Sequence, residues 1–354
     1  MELKPLKMLE NRVWRIYLGG KLLDEFRGND GLDGYFPEDW LASVVTATNP
    51  PRDGAPEREG QSRVEADGVE CCLKDLIDGD PEGFLGAEHV GKFGVNFGVL
   101  TKFLDSAERL PIQVHPDKEA ARGLFGSDYG KTEAWYILGG REIDGEQPHI
   151  FLGFKEDVTK ECLRELFDKQ DIPGMAALMH KVYVKPGDVF MIEGGTPHAI
   201  GPGCFLLEIQ EPTDYTISLE KYDMRGKKMP DFMCHMGIGF DNMFDCFHYI
   251  KHTEAELLAK FKLVPHERSE ADGCKVTSLI DYGRTPCFAL NRIDVPHCMT
   301  RERTGTPSAY AIIEGGGKIG GTDVKRGDCL FIPAMSADFE IEGKMSLIEC
   351  LPPR

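Results

Sequence analysis

A chain of 354 residues is too long for one ordinary core and predicts two domains, or one large domain and a smaller one. Its 41% hydrophobic and 28% charged residues make a soluble globular composition, and no apolar run approaches the roughly 20 residues of a membrane span. The net charge of −18 excludes nucleic acid and anionic membrane surfaces as partners, so any site for an anionic substrate depends on locally placed Lys or Arg.

The stretch from Met1 to Trp14 lacks the continuous apolar core of a signal peptide, and a cytoplasmic location is expected. The 11 cysteines are scattered without CxxC spacing and read as reduced, mostly buried thiols.

In chain order, Arg12 to Leu23 reads as an apolar strand broken by the Gly19-Gly20 turn, and Trp40 to Thr48 as a second strand. Residues 49–60, rich in Pro, Gly, Arg and Glu, predict an exposed loop. Leu73 to Ile77 predicts a short helical turn and Gly79 to Gly83 a loop. Gly98 to Leu104 predicts a strand leading into Ile112-Gln113-Val114-His115, where period-2 alternation sends Gln113 and His115 to one face. Glu133 opens another apolar run, Ala134 to Leu138. Cys162, Leu163, Leu166 and Phe167 share one helical face behind a Thr159 cap, which predicts a small helical insertion near 157–180, broken at Asp171. Val189 to Ile192 is a strand followed by a Gly194-Gly195-Thr196-Pro197 turn and His198. The interleaved Met236, Phe240, Met243, Phe244 and Phe247 read as core, which argues against a second metal at His235 and His248. A second short helix is expected at Glu254 to Phe261, and Lys262 to Gly273 reads as a polar linker into a run of short β segments. The fold expected is mainly β, with residues 1–260 carrying the site and 261–354 forming a second barrel.

One segment repeats. Val184-Lys-Pro-Gly-Asp-Val-Phe-Met-Ile returns as Val324-Lys-Arg-Gly-Asp-Cys-Leu-Phe-Ile, but no histidine follows the second copy. Two related barrels, one carrying a metal motif and one without, account for the echo.

Gln113, His115, Glu133 and His198 are four side chains able to close on one metal inside a small barrel, where inward-facing residues of many strands converge. Two imidazoles, a carboxylate and an amide suit Zn²⁺, with Fe²⁺, Mn²⁺ and Co²⁺ left open. Lys131, two residues before Glu133, faces the same side of an extended strand. Glu208 is a charged residue within the apolar Leu206-Leu207-Glu208-Ile209 run, costly to bury without purpose.

Gly187 to Ala199 resembles the second motif of the cupin barrels. Gln113-Val-His-Pro-Asp, Gly130-Lys-Thr-Glu-Ala-Trp-Tyr-Ile and Gly195-Thr-Pro-His-Ala-Ile-Gly together resemble the type I phosphomannose isomerases. The resemblance implies two cupin-like barrels and a zinc-dependent aldose–ketose isomerase acting on mannose 6-phosphate and fructose 6-phosphate. It maps the metal ligands onto Gln113, His115, Glu133 and His198, and it places Lys131 and Glu208 beside the metal. An arginine of the family, about ten positions beyond that glutamate, is replaced by Ser218, and Arg225 is the nearest downstream candidate to supply its charge. The family's N-terminal Trp-Gly-Gly pattern is also altered, with Tyr17-Leu18 before Gly19-Gly20. Two other readings keep the fold: a mononuclear iron oxygenase, and a metal-stabilised sugar-phosphate-binding protein without turnover.

Overall fold

The computed structural model describes residues 3–66 and 69–354. Two antiparallel sheets of different size enclose the first barrel. The larger runs in the order Lys262–Leu263, Val189–Ile192, Glu133–Gly140, Cys204–Gln210, Leu100–Asp105, Glu38–Leu41, Arg12–Val13. The smaller runs Met179–Tyr183, His149–Phe154, His198–Ile200, Gln113–Val114, Ile217–Ser218.

Strand alternation divides the core. Ala134, Tyr136, Leu207 and Ile209 point outward from the larger sheet and pack with Leu290, Ala309 and Ile348 of the second barrel. Trp135, Ile137 and Leu206 point inward, onto Ile150, Leu152 and Ile200 of the smaller sheet. Glu133 therefore lies on the inner face two residues before Trp135. Burying side chains of this size stabilises by about 1.5–3 kcal/mol each, which fixes the register that aims the polar residues inward.

The C-terminal sheet repeats this plan. Its main path is Leu6–Lys7, Cys329–Ile332, Ser308–Ile319, Phe339–Leu351, Ala289–Val295, Cys274–Ile280, His266–Ala271. The register also repeats: Glu208 stands between Lys102 and Trp135 as Glu349 stands between Asn291 and Tyr310. Ile192 lies opposite Glu133, whereas its echo Ile332 lies opposite Ser308. The second barrel thus has a hydroxyl where the first has a carboxylate ligand candidate.

The helical insertion forms as Lys160–Lys169 and Ile172–Ala177. The Thr159 and Asp171 side chains accept the backbone N–H groups of Cys162 and Gly174 as caps. Glu254–Phe261 starts with a Thr253/Glu256 capping box. Four local expectations need correction. The strand expected at 40–48 stops at Leu41, where Ala42 takes a positive φ of 48°. The loop expected at 79–83 holds the Pro81–Leu85 helix, capped by Asp80. The segment 262–273 is not a linker, because Lys262–Leu263 and His266–Ala271 pair into the two sheets, where tertiary pairing overrides a polar sequence. The strand expected from Arg12 to Leu23 is cut to Arg12–Val13, and the residues after the Gly19-Gly20 turn start the Lys21–Phe26 helix instead.

Candidate metal centre and adjoining pocket

Hydrogen-bonded register brings the first two candidates together: Gln113 lies opposite His198 in the antiparallel pair. His115 follows on the same face, its carbonyl accepting the Gly195 N–H at 2.8 Å, so the two ligand-bearing loops are tied to each other. That closeness is why the turn needs glycine. Gly195 has φ +85°, and a Cβ there would stand 2.4 Å from the His248 ring, which itself bonds Asp117 at 2.8 Å.

Both imidazoles are oriented from behind. His115 Nδ1 donates to the Tyr215 carbonyl at 2.8 Å, and His198 Nδ1 donates to the Thr196 carbonyl at 2.9 Å. A carbonyl only accepts, so each ring carries its proton on Nδ1 and turns a bare Nε2 into the barrel. The two Nε2 atoms lie 3.0 and 3.5 Å from the carboxylate oxygens of Glu133. Among the described residues, His115, Glu133 and His198 form the group of three buried ligand-type side chains whose donor atoms all lie within 4.8 Å of one another. The Gln113 amide is 3.2 Å from His198 Nε2 and completes the ring of donors.

Charge favours a cation here. Burial, and then the Lys131 ammonium, push His115 down to about 4, and burial pushes His198 down too. Burial alone would raise Glu133, but Lys131 and His115 hold its carboxyl well below the usual range. The set is therefore two neutral imidazoles and a carboxylate, the protonation state that metal binding requires. Lys131 already places a positive charge there, with Nζ 2.9 Å from His115 Nε2 and 3.0 Å from Glu133 Oε2. The donor set fits a divalent ion.

A cavity of about 100 Å³ opens beside this centre, lined in part by Gln113, Lys131, Glu208 and Ser218. The remaining charged wall belongs to no motif in the sequence: Arg15, Glu38, Lys102, Asp214 and Glu220. Lys102 Nζ lies 2.8 Å from Glu208 and 3.7 Å from Glu38, and Trp135 Nε1 donates to Glu208 at 3.1 Å. Arg15 sits 3.0 Å from Glu38 and forks onto both oxygens of Asp214 at 3.2 Å. Burial would raise Glu38, yet Arg15 and Lys102 bring it down to about 2. Lys102 carried the same signal as Glu208, a charge inside an apolar strand. Arg15 carried none, since arginines near a strand end usually face solvent.

Arg225 is not in this cavity. It bonds Glu108 at 2.9 and 3.0 Å and also the Ile16 carbonyl, on the hairpin beyond Ser218. The chain between Ser218 and Arg225 leaves the barrel, so proximity in sequence does not carry over to the pocket. Ser218 does line the cavity, its hydroxyl turned to the Glu220 carbonyl at 3.3 Å.

Fold and site together define a two-barrel β protein with a buried His/Glu/His donor set suited to one divalent ion. Residues 57–133 match the family model described as the catalytic domain of type I phosphomannose isomerase. "Mannose-6-phosphate isomerase ManA" of Bacillus subtilis is 30% identical over 254 residues, 71% of this chain and 73% of the relative. A Streptococcus mutans mannose-6-phosphate isomerase is 27% identical over 289 residues, 79% of this chain and 84% of the relative. The crystal structure of the mannose 6-phosphate isomerase from Bacillus subtilis superposes with a TM-score of 0.75 at 24% identity, covering 98% of this chain and 99% of that one. A zinc-bound mannose 6-phosphate isomerase shares the fold at a TM-score of 0.74 and 16% identity, over 99% of this chain and 100% of that one. The chain belongs to the type I phosphomannose isomerase family.

Proposed function

We propose that this chain is a zinc-dependent aldose–ketose isomerase that interconverts mannose 6-phosphate and fructose 6-phosphate. One observation carries the chemistry: two imidazoles fixed with bare Nε2 atoms converge with Glu133 beside a charged, enclosed cavity. Family membership supplies the substrate class, since the relatives are named for mannose 6-phosphate.

Gln113, His115, Glu133 and His198 would hold the ion. When bound, it supplies Lewis acidity toward a sugar oxygen. The chain's own groups then have three tasks. Burial of His115, Glu133 and His198 excludes bulk water from the reacting carbons. Glu208, steadied by Lys102 and Trp135, is the candidate to take a proton from one carbon and return it to the next. Lys131 is the candidate to offset negative charge on the sugar oxygens as the proton moves.

The test is a coupled assay for fructose 6-phosphate formed from mannose 6-phosphate by the zinc-loaded protein, run beside glucose 6-phosphate and unphosphorylated mannose. Turnover of mannose 6-phosphate in preference to both supports the reading. Tight binding without turnover would instead identify a sugar-phosphate-binding protein, and iron as the metal required for function would point to oxygenase chemistry.

A further inference from the structure

Arg225 lies outside the cavity, yet its guanidinium touches three groups that hold one of the cavity's walls. Its Nη1 donates to both oxygens of Glu108 at 2.9 and 3.0 Å, its Nη2 donates to the Ile16 carbonyl, and its carbon lies 4.9 Å from the centre of the Tyr35 ring. Glu108 in turn accepts the Leu18 N–H at 2.9 Å, and the Tyr35 carbonyl accepts the Arg15 N–H at 2.9 Å. Residues 14–18 follow the Arg12–Val13 strand and belong to no strand or helix themselves. Their backbone has no ladder to satisfy it, so partners from distant parts of the chain do so instead. This stretch carries Arg15, Ile16 and Tyr17 into the cavity.

The other end of the contact is also built. Asp223 accepts the backbone N–H groups of Arg225 and Lys227, both at 2.9 Å, which fixes the turn that presents the guanidinium. The chain returns from that turn to Met229, whose N–H donates to the Lys221 carbonyl at 2.8 Å, and Met229, Met233 and Met236 line the same cavity. One ion pair therefore joins two stretches outside the strands that both supply cavity wall. The first of them reaches the proton-transfer candidate through a chain of charges. Arg15 stands 3.0 Å from Glu38, and the Tyr17 hydroxyl donates to Glu38 at 2.6 Å. Lys102 lies between Glu38, at 3.7 Å, and Glu208, at 2.8 Å.

We infer that Arg225 and Glu108 form a clasp that positions Arg15 and Tyr17 in the cavity wall, and so keeps the Glu38–Lys102–Glu208 chain in register for turnover. Both are positioning residues, since neither lines the cavity. The reaction they serve rests on the isomerase reading; the clasp itself is measured separately. An exposed ion pair contributes little to global stability, so variants that open it should fold.

The zinc-loaded full chain is compared with Arg225→Ala, Glu108→Ala, the double variant and Arg225→Lys in initial rates on mannose 6-phosphate. Each alanine variant is expected to lower kcat about tenfold, with KM within about threefold and zinc content intact. The double variant should also lose about tenfold rather than about 100-fold, because either single change already opens the clasp. Arg225→Lys keeps the charge but cannot reach Glu108 and the Ile16 carbonyl together, so it should stay within about threefold of Arg225→Ala. A charge acting at a distance on an anionic substrate would instead give opposite signs for the two alanine variants. Wild-type or faster turnover by Glu108→Ala, full rescue by Arg225→Lys, or a 100-fold loss in the double variant would each overturn the clasp. If the wild type turns over no sugar phosphate, the isomerase reading fails, and hydrogen–deuterium exchange decides the clasp. Amides of 14–18 and of 229–236 that exchange about tenfold faster in both alanine variants uphold it. Unchanged exchange at 229–236 in Glu108→Ala, or at 14–18 in Arg225→Ala, overturns it.

Discussion

Replacing Lys131 by Met should tighten zinc binding and slow the reaction at once. The side chain is buried, and its ammonium lies 2.9 Å from His115 Nε2 and 3.0 Å from Glu133 Oε2, atoms that a metal would take. Two unit charges 4 Å apart interact by about 4 kcal/mol at an effective dielectric of 20. A lysine can swing its charge toward the cavity and relieve most of this, leaving on the order of 1–3 kcal/mol of opposition to the ion. The variant should therefore bind zinc about 5- to 150-fold more tightly, because methionine keeps the apolar stem and drops the charge. Turnover should fall by about 10²-fold or more, since a positive donor beside the reacting oxygens is gone. Competition with a chromophoric chelator gives the zinc Kd, and the coupled assay at saturating zinc gives kcat. Weaker zinc binding, or an unchanged kcat, would refute the reasoning that places Lys131 between metal and substrate.

Three further outcomes are expected. His115→Ala and His198→Ala should each lose most of the bound zinc while keeping the wild-type circular dichroism spectrum, and Glu133→Gln should weaken zinc less; full occupancy in either histidine variant would contradict the ligand set. Lys102→Met should destabilise by about 3–5 kcal/mol, because it strips buried Glu208 of its ion pair and leaves Glu38 with Arg15 as its one remaining cation among the described residues. The depressed carboxyl of Glu38 contributes stability above its unfolded pKa of about 4.3 that is lost as pH falls toward 2, so this deficit should be largest near pH 7 and shrink below about pH 4.5. Urea denaturation at the two pH values checks this, and a pH-independent deficit would count against the ion pair. Gly195→Ala should weaken zinc binding about tenfold in the same chelator competition, since its Cβ meets His248 at 2.4 Å and must displace the loop that carries His198. Wild-type affinity would show that the turn yields more easily than its packing implies.

The donor set was legible because each member sits in a short local pattern: alternation around Gln113 and His115, an apolar run behind Glu133, and a glycine turn before His198. The echo of 184–192 in 324–332 likewise anticipated a second barrel, and the shared strand order extends it to Glu208 and Glu349, which no short motif links. Long-range pairing was not legible. Arg15 reaches the cavity only because Asp214, 199 residues away, takes its guanidinium fork. Lys102 carries a local signal, a charge in an apolar strand, but its role comes from standing opposite Glu208 on the neighbouring strand. Arg225 illustrates the converse, since seven residues of chain beyond Ser218 carried it out of the barrel to Glu108. The strands at 262–263 and 266–271 read as linker because their pairing partners, not their own residues, make them strands.

The central claim is that one divalent ion, held by Gln113, His115, Glu133 and His198, makes this chain an isomerase. Titrating zinc into chelator-stripped protein while following fructose 6-phosphate formed from mannose 6-phosphate tests it most directly. Activity should start near zero, rise linearly and break at about one equivalent per chain, with the break abolished in His198→Ala. Full activity in the stripped protein, or a break that persists in His198→Ala, would contradict it.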